Sequence, residues 1–132
     1  MYQVLVPVDE NERRTRAQTS YVARLADGSA NVAATVLFVA PPDAFARAEE
    51  VDFEEIGAAV EAADRLEATG VQVNRAVGDG GVAGEVVRIA DVIDADELVM
   101  GGRKRSGVTS VLLGSTVQDV ILSTERPVTI TG

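Results

Sequence analysis

The feature that most constrains this chain is the regular alternation of short apolar runs with longer amphipathic segments. Each run is rich in valine, leucine, isoleucine or alanine, the pattern of a strand buried on both faces of a sheet. Five such runs occur, at residues 4–8, 31–39, 71–77, 98–100 and 128–130. Strands that alternate with helices form a parallel sheet with right-handed crossovers. The sequence therefore predicts an α/β fold, a single domain over residues 1–132 with a doubly wound, five-stranded parallel sheet and helices on both faces.

The segments between these runs carry apolar residues at helical spacing. Asn11 or a neighbour is expected to cap the first helix, and Gly28 is expected to end it. The second helix is predicted to stop at Gly70 and to carry one apolar face, made of Phe53, Ile56, Val60, Ala63 and Leu66. The last helix is expected to begin at Gly114-Ser115-Thr116 and to carry Val117, Val120 and Ile121.

The balance of titratable residues narrows the range of functions. With 21 acidic and 12 basic residues the formal charge is −9, which argues against a nucleic-acid partner and against an anionic membrane surface. The chain has no histidine and no cysteine, so histidine-based catalysis and thiol chemistry are excluded and an enzyme is disfavoured. It has no apolar run near the roughly 20 residues of a membrane span and no leader-like start, so a cytoplasmic protein is expected. The acidic excess, with Lys104 as the only lysine, resembles the proteins of salt-accumulating halophiles.

Two predicted strand ends carry residues suited to a ligand. Asp9 follows the first strand and Gly101-Gly102 follow the fourth, and open doubly wound sheets bind ligands at this edge, where the strand order reverses. The start of the last helix adds free N–H groups and the positive end of the helix dipole, which favour an anion. Each feature also has a structural interpretation: Asp9 as a helix cap, Gly101-Gly102 as a turn, and Ser115 as an N-cap. Residue types alone favour a phosphate-bearing ligand only slightly.

Two glycine motifs and a metal site are rejected. Gly102-x4-Gly107 begins like a Walker A loop, but Val108 stands where that loop requires lysine. Residues 78–83 fit the dinucleotide fingerprint, yet they follow the third strand, and the acidic pair 96–97 precedes the fourth strand instead of ending it. We therefore expect a tight turn there, with Asp79 either in that turn or facing the crevice. No cluster of carboxylates has the spacing of metal ligands, so no metal site is expected.

Three segments resemble the universal stress protein family along nearly the whole chain. They are VLVPVD, the run from VGDG to DADELVMGGR, and GSTVQDVILSTERPV. The resemblance implies the strand order 3-2-1-4-5 and a homodimer formed by antiparallel pairing of the C-terminal strand, Val128–Thr131. That strand carries almost no charge, and an unprotected edge strand invites pairing with another chain.

One branch of that family binds ATP through a Gly-x2-Gly-x9-Gly-[Ser/Thr] motif after the fourth strand. The same spacing runs here from Gly101 to Gly114-Ser115, with Lys104 in place of the second glycine. A lysine brings a Cβ and a long cationic chain to a place where glycine lets the backbone approach a phosphate. Either its ammonium pairs with the phosphates beside Arg103 and Arg105, or the loop closes the site and the domain works without nucleotide. A basic trio in so acidic a chain favours the first outcome.

The resemblance also implies roles for single residues. Asp9 faces the adenine, and Val39 lends it backbone contacts. Pro7 and Gly101 border the ribose, while the start of the last helix holds the phosphates. The full set implied for nucleotide binding is Pro7, Val8, Asp9, Val39, Met100, Gly101, Lys104, Gly114, Ser115 and Thr116.

Three functions follow from these expectations. The leading one is a stress-response regulator that binds ATP, with or without Mg²⁺, or a related adenine nucleotide, and that acts as a homodimer. The first alternative is a dimeric interaction module of the same family that binds no nucleotide. The second is an enzyme, either a very slow ATP hydrolase or a catalyst of adenylate transfer, which the missing histidine and the missing Walker lysine disfavour.

Overall fold

A computed structural model describes residues 1–28, 31–41, 47–103 and 113–132 of the chain. The strands within these residues are β1 (Tyr2–Val8), β2 (Val32–Ala40), β3 (Gln72–Asp79), β4 (Glu97–Gly101) and β5 (Val128–Thr131). The helices are α1 (Glu12–Gly28), α2 (Gly57–Ala68), α3 (Val82–Val92) and α4 (Ser115–Ser123), with short 3₁₀ turns at Ala48–Glu50 and Phe53–Glu55. None of the helices in this described part has both the length and the apolarity needed to cross a membrane.

The strands form one parallel sheet in the order β3-β2-β1-β4-β5. From β1 the chain builds outward to β2 and β3 on one side, and it then returns to add β4 and β5 on the other. The order therefore reverses between β1 and β4, because the connection after β1 leads to one side of the sheet and the connection after β4 leads to the other. The predicted fold class and strand order are confirmed.

Two apolar cores cover the two faces of the sheet, because side chains alternate along each strand. Val4 and Val6 of β1 point to the core formed with α1 and α2, whereas Leu5 points to the core formed with α3 and α4. All three side chains are fully buried. All nine residues of β2 are buried as well, which explains why that run contains so few polar residues.

The beginning of α1 matches the expected cap. Asn11 precedes the helix, and its Oδ1 accepts the backbone N–H of Arg14 at 2.9 Å. This hydrogen bond satisfies one of the N–H groups that a helix start leaves without a partner. Gly28 is the last residue of α1, as expected.

One detail of the predicted helices is wrong. Phe53 lies in a 3₁₀ turn rather than in the second helix, because Ile56 is extended and α2 begins only at Gly57. Phe53 is nevertheless buried in the core with α1 and α2. Ile121 of α4 is 40% exposed, since Val117 and Val120 already fill the face of this short helix that meets the sheet.

The amino end of the sheet holds a buried carboxylate. Glu97 is 4% exposed, and its oxygens accept hydrogen bonds from Tyr2 Oη at 2.6 Å, Tyr21 Oη at 2.6 Å and Thr129 Oγ1 at 2.5 Å. Burial by itself raises the pKa of Glu97, but the three hydroxyl donors outweigh it and hold that pKa below its ordinary value of 4.5. The hydrogen bond from Tyr2 to Glu97 in turn raises the pKa of Tyr2 to about 12. Glu97 therefore stays ionised in the folded protein at neutral pH.

Candidate functional site

A cavity of about 310 Å³ lies at the carboxyl edge of the sheet, between β1 and β4. Its walls come from the ends of β1, β2 and β4, from the beginning of α1 and from the beginning of α4. The volume is at the low end of the range of small-molecule sites, about 300 to 1,000 Å³. This cavity occupies the reversal point of the strand order, the place at which open α/β sheets bind ligands.

The structure brings the predicted residues together at this cavity. The lining contains every described member of the predicted set, namely Pro7, Val8, Asp9, Val39, Met100, Gly101, Gly114, Ser115 and Thr116. Lys104 and Arg105 lie outside the described residues. Arg103 is described and lines the cavity as well. The role of these residues as nucleotide contacts stays a prediction.

Gln18, which the sequence reasoning missed, holds the crevice open. The Cα register between β1 and β4 covers only Val4 with Glu97 and Leu5 with Leu98. Beyond these pairs the Nε2 group of Gln18 donates hydrogen bonds to Pro7 O at 2.7 Å and to Val99 O at 2.9 Å. Gln18 is 2% exposed, and its amide bridges carbonyl groups of the two strands where no direct backbone pairing joins them. The sequence did contain a signal for this role. Gln18 precedes Val22 by four residues and so lies on the buried face of α1, where a polar side chain needs hydrogen-bond partners.

Asp9 lines the cavity, but both of its oxygens are already engaged. Oδ2 accepts hydrogen bonds from Nε and Nη2 of Arg14 at 3.0 and 2.8 Å, and Oδ1 accepts the N–H of Asn11 at 2.8 Å. Asp9 thus stabilises the turn before α1, while Asn11 is the helix cap. An ionised carboxylate has about four acceptor positions, so Asp9 retains one for a ligand.

The beginning of α4 and Arg103 meet at one wall of the cavity. Gly114 is the N-cap, with extended backbone at φ −73° and no side-chain cap, and Ser115 is the first helical residue. The interpretation of Ser115 as an N-cap is therefore wrong. A Cβ placed on Gly114 would lie 3.5 Å from Nε of Arg103. A cation beside the positive end of a helix is unfavourable, whereas an anion between them interacts favourably with both.

The turn after β3 is structural, as expected. Gly80 has φ +85°, a value that glycine adopts at little cost. Asp79 accepts the N–H of Ala48 at 2.5 Å and donates its own N–H to Glu85 Oε2 at 3.2 Å, and it does not belong to the cavity lining. Among the residues described, no three carboxylates come close enough together to hold a metal ion.

The sheet order and the cavity define a doubly wound α/β protein with a ligand-sized site at its reversal point. The sequence model of the Universal stress protein family matches residues 1–132, and the chain belongs to that family. A search of the curated proteins found no match.

Solved structures share the fold over nearly the whole chain. A universal stress protein from Archaeoglobus fulgidus is 25% identical, with a TM-score of 0.75 over 100% of this chain and 99% of that one. A universal stress protein in complex with cAMP is also 25% identical, with a TM-score of 0.69 over 98% of this chain and 94% of that one. A universal stress protein from A. fulgidus in complex with dAMP is 23% identical, with a TM-score of 0.73 over 100% of this chain and 98% of that one, a likeness that supports the fold alone.

Proposed function

We propose that this universal stress protein binds an adenine nucleotide, ATP or a related one, in the cavity between β1 and β4, and that it acts as a stress-response regulator through the occupancy of this site. The observation that carries the proposal is the meeting of the α4 start with Arg103 at the cavity wall. Backbone N–H groups at a helix start and an arginine guanidinium are two groups that bind phosphate. Apolar side chains such as Val39 and Met100 line the same cavity and suit a flat base.

The cAMP complex of a protein 25% identical to this chain supports the proposed ligand class, since cAMP is an adenine nucleotide. The family fold has thus held a ligand of this kind. The preference for ATP rests on the implied glycine motif and on the two phosphate-binding groups, and not on the neighbours.

The pair formed by Asp9 and Arg14 favours a second candidate, an interaction module that works without nucleotide. Arg14 takes up Oδ2 of the carboxylate that the family resemblance assigns to the adenine. Its Cβ and Cδ also lie 3.3 and 3.4 Å from the position of a Cβ on Gly101, at the end of β4. In this alternative the arginine fills space that a nucleoside would otherwise use.

We also propose a homodimer formed through β5. The carbonyl oxygens of Pro127 and Thr131 accept hydrogen bonds from the N–H groups of Leu98 and Gly102. Because backbone groups alternate in direction along a strand, the N–H groups of Val128 and Ile130 face the free edge of the sheet. Leu122 of the neighbouring α4 is 85% exposed. A second copy paired with this edge would satisfy those backbone groups and cover apolar surface.

The excess of acidic residues supports one further part of the proposal, a cell interior with concentrated salt. At 1 M salt the Debye length is about 3 Å, so repulsion among surface carboxylates is largely screened.

Isothermal titration with ATP and Mg²⁺ tests nucleotide binding, and the variant Gly114→Val tests the place of binding. The backbone of Gly114 accepts any residue, and the nearest atoms to a new Cβ belong to the side chain of Arg103, at 3.5 Å or more. We therefore expect the variant to fold, with its branched side chain in the space between Arg103 and α4 where a phosphate would lie. We expect saturable heat from the wild type and none from Gly114→Val.

Gly81→Val is the matched control. Gly81 is the N-cap of α3, it has the same extended backbone with φ −67°, and no atom lies within 4 Å of a new Cβ. This variant should bind ATP like the wild type. Undiminished binding by Gly114→Val would place the site elsewhere, and silence of the wild type at millimolar nucleotide would support the nucleotide-free module.

A further inference from the structure

A second cavity, of about 210 Å³, adjoins the first at the carboxyl edge of the sheet. We call it the arginine cavity, because Arg13, Arg14 and Arg103 line it. Arg14 and Arg103 also line the first cavity, so the two spaces share a wall. Among the described residues, the lining has no Asp or Glu side chain, and it includes Gly132, the last residue of the sequence.

This concentration of positive charge is unusual in a chain whose formal charge is −9. Most of the described arginines are paired; Arg75, for example, binds three carboxylates, and Arg126 binds two. Arg13 and Arg103, in contrast, form no ion pair within the described part of the chain. Two cations of one cavity thus remain available to a ligand.

The position of Arg13 and Arg14 makes these cations more favourable partners for an anion. Both residues lie in the first turn of α1, where the helix dipole disfavours cations. The acidic side chain of that turn, Glu12, points its carboxylate to Arg16 at 3.4 Å. Arg14 binds Asp9 through Nε and Nη2, so its Nη1 group remains free of that pair. An anion in the arginine cavity would offset the repulsion among these groups.

We propose that the arginine cavity is an anion subsite for the terminal phosphates of a nucleotide held in the first cavity. Arg103 lies between the two spaces, beside the α4 start. A phosphate chain that begins at α4 passes Arg103 and reaches Arg13. The ligand class is then a nucleoside di- or triphosphate in preference to a monophosphate. This assignment rests on the proposed function, but the subsite also binds inorganic tripolyphosphate by itself.

The test compares AMP, ATP and tripolyphosphate by isothermal titration at constant ionic strength, in chloride buffer without divalent cations. Arg13→Gln removes one cation of the subsite and no residue of the first cavity. Arg24→Gln is the matched control, because Arg24 lies on the same helix, is exposed, and lines neither cavity. Both variants lose the same charge.

We expect the wild type to bind ATP more tightly than AMP. Arg13→Gln should weaken ATP and tripolyphosphate about tenfold, the effect of one hydrogen bond to a charged group, and leave AMP within about twofold. Arg24→Gln should leave all three affinities unchanged. Equal affinity of the wild type for AMP and ATP, or equal losses in the two variants, overturns the subsite.

The two proposals fail in different ways. Binding of AMP with no gain from the added phosphates keeps the nucleotide site and removes the subsite. Binding of tripolyphosphate that depends on Arg13, without any binding of AMP or ATP, keeps the subsite and removes the nucleotide. If tripolyphosphate does not bind, the arginine cavity is not an anion site.

Discussion

Replacement of Tyr21 by phenylalanine removes one of the hydroxyl groups that hold the buried carboxylate of Glu97. The carboxylate is 4% exposed and has no cationic partner in the described part of the chain. Its charge is stabilised by the hydroxyls of Tyr2, Tyr21 and Thr129, which come from β1, α1 and β5. Tyr21→Phe keeps the ring that packs against the core and deletes only the donor at 2.6 Å. The change therefore measures one charge-assisted hydrogen bond.

The expected loss follows from the chemistry of that bond. A hydrogen bond to a charged group contributes about 1.5 to 3 kcal/mol to the free energy of unfolding. The unfolding entropy is about 2.1 cal/mol/K per residue, so for a chain of 132 residues 1 kcal/mol corresponds to about 3 to 4 °C in Tm. Tyr21→Phe should thus lower Tm by about 5 to 11 °C at pH 7, as measured by circular dichroism.

The decrease in Tm caused by Tyr21→Phe should depend on pH, and the pKa of Glu97 determines whether it grows or shrinks as the pH falls. The folded state holds this pKa below 4.5, so the stability it provides is present above 4.5 and disappears as the pH falls through the folded-state value. Removal of a donor raises the folded-state pKa toward the ordinary one. The difference in Tm between Tyr21→Phe and the wild type should therefore be full at pH 7 and shrink below pH 4.5.

Glu97→Gln supplies the control background. There the tyrosine hydroxyl meets a neutral amide, and Tyr21→Phe should cost only about 0.5 to 1.5 kcal/mol in this double-mutant cycle. Two results would refute the assignment of Glu97 as a charged group held by hydroxyls. One is a decrease in Tm of less than about 2 °C when Tyr21→Phe is made in the wild type, well under the loss expected for a charged acceptor. The other is an equal decrease in the wild type and in the Glu97→Gln background.

Two further predictions concern the turn after β3 and the edge of the sheet. Gly78→Ala should lower the free energy of unfolding by about 1 to 3 kcal/mol, because the new Cβ would lie 2.6 Å from Cγ of Glu85 and displace the carboxylate that accepts the N–H of Asp79. Gly84→Ala has open space around its new Cβ inside α3, so it should instead raise the free energy of unfolding by about 0.5 to 1 kcal/mol. Urea unfolding measures both changes. Ile130→Pro should give a monomer in sedimentation analysis, since proline removes an N–H that faces the free edge of the sheet. Ile130→Ala keeps that N–H and should remain dimeric. A dimeric proline variant would contradict pairing through β5.

The fold was predictable because its signal is repeated along the chain. Five apolar runs alternate with helical stripes, and an error in one element does not change the order of the rest. Phe53 and Ile121 show where periodicity stops helping. Phe53 has the spacing of a helical face, yet the extended backbone of Ile56 separates it from α2. Ile121 follows a buried valine, but a helix of nine residues presents only a narrow face to the sheet.

The lining of the first cavity was predictable for a related reason. Ends of strands and beginnings of helices follow from the order of elements, so Asp9, Gly101 and Gly114 had to meet at one edge of the sheet. The partners of long side chains did not follow. Gln18 reaches a carbonyl group 11 residues away in sequence and another 81 residues away, and Arg14 turns back to Asp9. Such contacts depend on rotamers and on the spacing of elements, which a pattern of residue types does not encode.

The two ends of the sheet use different means to hold charge, and the difference bears on the proposed site. At the amino end, the hydroxyls of Tyr2, Tyr21 and Thr129 keep Glu97 ionised without any cation in the described part of the chain. No arginine is therefore needed there, and among the described residues Arg13 and Arg103 remain without acidic partners at the carboxyl end. Helix α1 contacts β4 at two points, because the hydroxyl of Tyr21 binds Glu97 at the beginning of the strand and the amide of Gln18 binds Val99 in its middle. Because α1 holds β4 at its first and middle residues, we expect this strand to form a rigid wall of the cavity, and any response to the proposed ligand should arise from the arginines and α4 rather than from movement of the sheet.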